Sequence, residues 1–217
     1  MRLVVITALV AVAYFAAAQV GYAFAIPQGT VTLWPPAGVM LGILLLGERR
    51  DWPAIVAGGF VGSLGSDIFS GHSMGGAAVA AAVNSVESLL AAWLVRRRLG
   101  PRIRLSNLRS ALVLTGVAVV FSNALTACLG AALLYFTSHT PIASGWFNWW
   151  VGGGLGMLTV SPLILAWVDV AERRPPIRRV QVLEAAILGI ALSQVSHIAF
   201  GSQHDWPVEP GPYAVFP

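Results

Sequence analysis

The dominant feature of this sequence is a series of long apolar runs joined by short polar loops. A bilayer core about 30 Å thick needs roughly 20 apolar residues per helix. Because lipid offers the backbone no hydrogen-bond partners, such runs must be helical. Of the 217 residues, 57% are apolar and 10% are charged, whereas a soluble domain carries about 25% charged residues. The sequence therefore predicts an all-α, polytopic transmembrane helix bundle.

Seven runs have the length and composition of membrane spans. They cover residues 3–25, 31–46, 52–69, 75–95, 111–136, 146–168 and 182–200. An eighth run begins at Tyr213 and is cut off by the end of the sequence. We therefore interpret residues 1–217 as one membrane domain that stops before its last helix and contains no output domain.

The arginines predict the orientation of the spans. All 13 basic residues are arginines, and they lie before the first run or in the loops 47–51, 96–110 and 169–181. The alternate loops contain none. Seven crossings place every arginine on one side, which the positive-inside rule assigns to the cytoplasm. We expect a multi-pass protein of a bacterial inner membrane with a cytoplasmic N-terminus.

The first run has a second interpretation. Arg2, the apolar stretch and Ala23-Phe24-Ala25 resemble a secretory signal with a cleavage site. The stretch exceeds the usual length of a signal core, which favours a retained anchor. Both interpretations give the same orientation.

The second run contains Trp34, Pro35 and Pro36, and prolines suit the first turn of a helix. A helix from Pro35 to Leu46 would cover only about 18 Å. One interpretation is an ordinary interfacial start, with Trp34 in an aromatic belt. The other is a broken helix whose free N–H groups favour anions, as at transporter sites.

Polar side chains inside the runs are the main candidate site. Asn84 and Glu87 lie three residues apart and share a helix face. The other candidates are Asn123, with Ser122 and Thr126, and His197, with Ser193 and Gln194. Such residues either hydrogen-bond helices together or form a ligand or proton site.

Other residues have simpler interpretations. We interpret Trp149 and Trp150 first as members of an aromatic belt with Trp146, and we keep both as candidate site residues. We expect Cys128 to be a small buried packing residue and Asp67 to be solvated. The histidines match no metal-ligand spacing. We expect no catalytic residues, no metal, no cofactor and no nucleic acid partner. The expected partners are the bilayer and either a second copy of the chain or another membrane protein.

Several motifs together resemble the first class of bacterial membrane-associated sensor domains. They are Leu33-Trp34-Pro35-Pro36-Ala37-Gly38, residues 47–53 (GERRDWP), residues 84–92 (NSVESLLAA), residues 149–156 (WWVGGGLG) and residues 161–167 (SPLILAW). The resemblance covers essentially the whole chain. It implies a bundle of about eight helices at the amino terminus of a signalling protein, whose output is a histidine kinase or an enzyme of cyclic diguanylate metabolism.

The resemblance also implies an acidic residue at the position of Gly153 and an amide at the position of Ser63. Their replacement leaves Glu87 as the main intramembrane acid. We expect a signal-input module that relays an unknown stimulus and is not itself an enzyme. The alternatives are a small transporter, and a tether for another membrane protein.

Overall fold

The computed structural model describes residues 1–23, 33–101, 103, 107–173 and 187. The chain divides into two units, residues 1–171 and 172–217. Almost all of the second unit lies outside the described residues. The predicted seventh span, the start of an eighth at Tyr213 and the candidate His197 are therefore not described.

Within the described residues every regular element is helical. The helices are α1 (Arg2–Ala23), α2 (Pro35–Leu46), α3 (Trp52–Phe69), α4 (Met74–Leu99), α5 (Leu108–Val113), α6 (Ala124–Ser138) and α7 (Ile142–Arg173). A 3-10 turn at Arg49–Asp51 precedes α3, and a π-helical segment, Leu114–Asn123, joins α5 to α6. The all-α prediction is confirmed for this part of the chain.

Each of the first six predicted runs overlaps a helix within the described residues. Among the described helices, four are long and apolar enough to cross a membrane, namely α1, α4, the continuous stretch Leu108–Ser138, and Ile142–Ala171 of α7. The second run begins its helix at Pro35, as the two prolines predict, and α2 has only 12 residues. Because length and composition alone identify four spans, the count of seven crossings remains a prediction.

Contacts between helix ends define two ends of the bundle. At the end that we call the arginine end, Arg2 forms an ion pair with Asp51 at 2.8 Å. The Arg96 guanidinium there donates to the carbonyl oxygens of Leu45, at 2.8 Å, and Gly47. The start of α1, the end of α2, the start of α3 and the end of α4 therefore meet.

The opposite end joins α1 to α3 and α2 to α7. The Tyr22 hydroxyl donates to Asp67 Oδ1 at 2.6 Å. The Trp34 backbone N–H donates to the Gly152 carbonyl at 2.9 Å. Contacts at both ends hold these helices together, and polar residues in the middle of α4, such as Glu87 and Ser88, are buried between them.

Small residues let the helices approach closely. A Cβ at Gly58 of α3 would lie 2.5 Å from the Thr7 carbonyl oxygen of α1. A Cβ at Gly62 would lie 2.6 Å from the Ala11 carbonyl oxygen. Such contacts are a usual basis of helix packing in lipid. The short helix α2 is buried along most of its length, with Leu41 and Leu44 fully enclosed.

The outer surface of the bundle is apolar. Many large apolar side chains are exposed, including Val4, Leu9, Val12, Phe69, Phe121, Leu163 and Trp167. Cys128 is also exposed, so our expectation that it packs inside the bundle is wrong. It lies on the outward face of α6, where neighbouring Leu125 and Leu129 are exposed as well. This surface suits lipid rather than water.

Candidate functional site

The Glu87 carboxylate lies at the junction of α4, α6 and α7. The residue is 1% exposed. Its Oε2 accepts a hydrogen bond of 2.9 Å from Trp149 Nε1 of α7. The Thr126 hydroxyl of α6 lies 3.3 Å from the same oxygen and 3.1 Å from the Ser122 carbonyl, so its single proton is shared. The acid therefore connects three helices.

The sequence of α4 places Glu87 inside the bundle. The buried side chains recur every three or four residues, at Ala81, Asn84, Glu87, Ser88, Ala91, Ala92, Val95 and Arg96. This spacing is that of one helix face. The predicted face of Asn84 and Glu87 is therefore confirmed, and it continues to Arg96, one residue into the arginine run.

Asn123 lies beside the acid at the end of the π-helical segment. It is fully buried. Its Nδ2 donates to the Trp150 carbonyl at 2.7 Å, while its Oδ1 has no hydrogen-bond partner among the described residues. π-Helical turns are rare and frequently occur at functional sites. No periodicity in the sequence signals this segment.

The missing side chain at Gly153 allows α7 to approach this centre. A Cβ at position 153 would lie 3.0 Å from Asn123 Oδ1 and 3.2 Å from Glu87 Oε1. This is the position where the resemblance implies an acidic residue. An acid there would stand directly beside Glu87, and like charges that share a site repel. Because residue 153 is glycine, it adds no second carboxylate beside Glu87.

Three tryptophans of α7 direct their indole N–H groups into the bundle. Trp149 binds Glu87, Trp150 donates to the Val119 carbonyl at 3.1 Å, and Trp146 donates to the Ala124 carbonyl at 2.9 Å. The last two acceptors lie within or just after the π-helical segment. These contacts differ from our aromatic-belt prediction, in which the polar ring edges would face the membrane surface.

Asn84 lies one turn before Glu87 and contacts α3. Its Nδ2 donates to Ser63 Oγ at 3.1 Å. Ser63 is the position at which the resemblance implies an amide, and the structure places it in the same polar interior. The fully enclosed Tyr14 hydroxyl of α1 lies near Ser63 but forms no hydrogen bond of normal geometry. Polar groups of α1, α3 and α4 thus extend the centre beyond Glu87.

The predicted Trp34-Pro35-Pro36 site packs against α7. The Trp34 carbonyl group lies against Gly156 of α7. A Cβ at position 156 would overlap the carbonyl oxygen and lie only 2.7 Å from the carbonyl carbon. Pro35 and Pro36 are buried and carry no N–H, and the Ala37 N–H bonds to the Trp34 carbonyl at 3.2 Å. Few free donors remain at this helix start, which weakens the anion-binding interpretation.

Asp67 corrects a further expectation. We expected a solvated side chain, but Asp67 is 6% exposed and accepts the Tyr22 hydrogen bond. Its backbone carbonyl lies 3.1 Å from His72 Nδ1, and the His72 ring stacks with Tyr22 at 6.1 Å. A sequence shows a carboxylate at the end of a run, but it does not show that a tyrosine of another helix covers it.

Four of the predicted candidates adjoin one another in the described part of the chain. Glu87 and Trp149 are bonded directly, and Asn123 and Trp150 adjoin them through Gly153 and a backbone contact. Sequence reasoning missed Tyr14, Tyr22 and Arg96. No group of three or more metal-ligating side chains occurs in the described part of the chain. The arrangement can bind a proton or hydrogen-bonding ligand at Glu87.

Within the described residues, a helical bundle with an apolar outer surface and a buried polar centre defines a membrane protein. The family model of the MASE1 membrane-associated sensor domains matches residues 6–202. The chain therefore belongs to the MASE1 family, a family of membrane sensor domains from signalling proteins. No curated protein and no solved structure matches the chain.

Proposed function

We propose that this chain is the signal-input part of a bacterial signalling protein. In this proposal it crosses the inner membrane seven times within residues 1–200, with its N-terminus in the cytoplasm. It relays a stimulus to a cytoplasmic histidine kinase or an enzyme of cyclic diguanylate metabolism and has no catalytic activity of its own. The family and the cluster of Arg2, Asp51 and Arg96 contacts at one end of the bundle support the proposal.

The hydrogen bond between Trp149 and Glu87 is the observation that carries the proposed mechanism. It ties α7, the last long helix described, to α4. A stimulus acts on such a bundle only if it binds two helix arrangements with different affinity. Small shears between packed helices are a common form of such arrangements. A proton or ligand that changes the bonding of Glu87 favours one position of α7 over another.

Output measurements on the complete signalling protein in nanodiscs test this mechanism. We expect Trp149→Phe, which removes the indole donor, to change the kinase or cyclic diguanylate output several-fold. Trp167→Phe is the matched control because Trp167 lies on the same helix, is 74% exposed, and contacts lipid in the proposal. If the two variants give the same output, the Glu87–Trp149 bond does not carry the signal.

Reporter fusions test the proposed orientation. A fusion after Gly100 should report the cytoplasm, because the arginine cluster of α4 lies just before it. A fusion after His139, at the turn between α6 and α7, should report the periplasm. Reporters on the same side would contradict the proposed threading.

One observation favours a transporter as the second candidate. The helix α2 has 12 residues, is largely buried and opens with two prolines, and interrupted helices of this kind form substrate sites in transporters. If proteoliposomes that contain the protein take up a solute, and Glu87→Gln abolishes this uptake, the protein is a transporter rather than only a sensor. A tether remains a third candidate, for which Glu87→Gln should leave partner capture unchanged.

A further inference from the structure

Two arginine side chains converge on one tryptophan at the arginine end. The guanidinium carbon of Arg49 lies 5.8 Å from the centre of the Trp52 ring, and that of Arg96 lies 5.3 Å from it. Trp52 is itself held in place, since its Nε1 donates to the Leu44 carbonyl at 3.0 Å. The indole thus supports two positive charges that lie close enough to repel each other.

Neither guanidinium has a carboxylate partner within the described residues. The two ion pairs found there join Arg2 to Asp51 at 2.8 Å and Arg50 to Glu48 at 2.7 Å. The acids beside this cluster are therefore already occupied by other arginines. Repulsion between two unpaired cations is relieved most directly by an anion placed between them.

Arg96 also has an unused donor. The residue is 7% exposed, and its terminal nitrogen donates to the Leu45 and Gly47 carbonyls at the C-terminal end of α2. Its Nε is buried and has no hydrogen-bond partner among the residues described. Buried polar groups of folded proteins normally have a partner. The Arg96 Nε–H is therefore a donor that a bound acceptor can use.

A pocket lies between the two arginines. Its volume is about 640 Å³, and it is lined by Leu46, Gly47, Glu48, Arg49, Arg96 and Pro101. The space exceeds that of a single ion. Its wall combines guanidinium groups with the apolar side chains of Leu46 and Pro101, which suits a charged group attached to an apolar molecule.

We propose that this pocket binds a phosphate group between Arg49 and Arg96. Guanidinium groups recognise phosphate through paired N–H bonds, and Arg96 Nε is a donor without a partner among the described residues. The phosphate belongs either to the headgroup of an anionic phospholipid or to a free phosphate-bearing solute. The site goes beyond the proposed signalling role and does not depend on it.

Thermal unfolding of the purified chain in phosphatidylcholine nanodiscs tests the site. One arm replaces part of the phosphatidylcholine by phosphatidylglycerol, and the other adds inorganic phosphate at constant ionic strength. Stabilisation by phosphatidylglycerol alone identifies a lipid headgroup. Stabilisation by inorganic phosphate, with or without the lipid effect, identifies a site open to soluble phosphate. Either result supports the proposal, and absence of both effects overturns it.

Matched variants separate the pocket from general charge attraction. Loss of a charge-assisted hydrogen bond weakens binding by about tenfold or more, so Arg49→Gln should require roughly ten times more ligand for the same stabilisation. Arg97→Gln is the matched control. It also removes one positive charge, but Arg97 lies in the last turn of α4 and stacks on Trp93 rather than on Trp52. Equal weakening by both variants would overturn the proposal. Arg49→Lys should give an intermediate effect, because it keeps the charge and loses the paired geometry.

Discussion

The contact between Gly130 and Trp149 allows a sharp test of the candidate site. The Trp149 ring lies directly against Gly130 of α6. A Cβ at position 130 would overlap the ring and lie only 2.7 Å from its Cε2 atom. Gly130→Ala must therefore displace either the ring or the helix. A displaced ring moves the indole N–H away from Glu87, so one methyl group perturbs both packing and the polar centre.

The size of the effect follows from two costs and one gain in stability. Overpacking a well-filled interior costs about 1–3 kcal/mol, and a weakened hydrogen bond to Glu87 adds about 1 kcal/mol. Replacing glycine by alanine inside a helix returns about 0.5–1 kcal/mol. We expect Gly130→Ala to lower the free energy of unfolding by about 1–3 kcal/mol.

The matched control is Gly116→Ala, in the π-helical segment that leads into α6. Apart from its own stretch of helix, no described atom lies within 4 Å of a Cβ at this position. The substitution should leave the free energy of unfolding unchanged or raise it by up to about 1 kcal/mol. Unfolding by dodecyl sulfate in mixed micelles, followed by far-ultraviolet circular dichroism, measures both variants. A Gly130→Ala protein as stable as the control would refute the proposed packing of Trp149.

Three further predictions concern other contacts within the bundle. Glu87→Lys should reduce the yield of monodisperse protein far more than Glu87→Gln, because a buried ammonium costs about 2.5–3.5 kcal/mol or more; equal yields on size-exclusion chromatography would contradict the burial of this residue. Tyr22→Phe should lower the free energy of unfolding by roughly 1–2 kcal/mol, since it leaves the buried Asp67 carboxyl without its hydroxyl donor; unchanged dodecyl sulfate unfolding would argue against that bond. Gly156→Ala should separate α7 from the start of α2 and destabilise the fold by about 1–3 kcal/mol, whereas Gly65→Ala, whose Cβ would meet only a ring atom at 3.9 Å, should have little effect in the same assay.

Hydropathy and local chemistry predicted the positions of the helices well. The third predicted run, residues 52–69, coincides with α3, and the paired prolines correctly marked Pro35 as the start of α2. The fourth helix runs four residues beyond the predicted residue 95, to Leu99. Arginines in a last helical turn interact favourably with the helix dipole, so a run that becomes polar does not end the helix at once.

The contacts of the site depend on tertiary packing and could be predicted only in part. The three-residue spacing of Asn84 and Glu87 indicated a shared buried face, because this periodicity is local. The partner of Glu87 is Trp149, 62 residues away, and nothing in the periodicity of either helix pairs them. The same face pattern, extended by two turns, would have predicted that Arg96 is buried.

The position of Glu87 explains why a buried acid suits a signal-input role. Its two donors belong to different helices, Thr126 to α6 and Trp149 to α7. A movement of α7 that breaks the Trp149 bond removes one donor from the carboxyl group and so changes its affinity for a proton or ligand. Linkage makes this relation reciprocal, so whatever binds at Glu87 must in turn bias the position of α7. An acid bonded only within its own helix would have no such effect, whatever its burial.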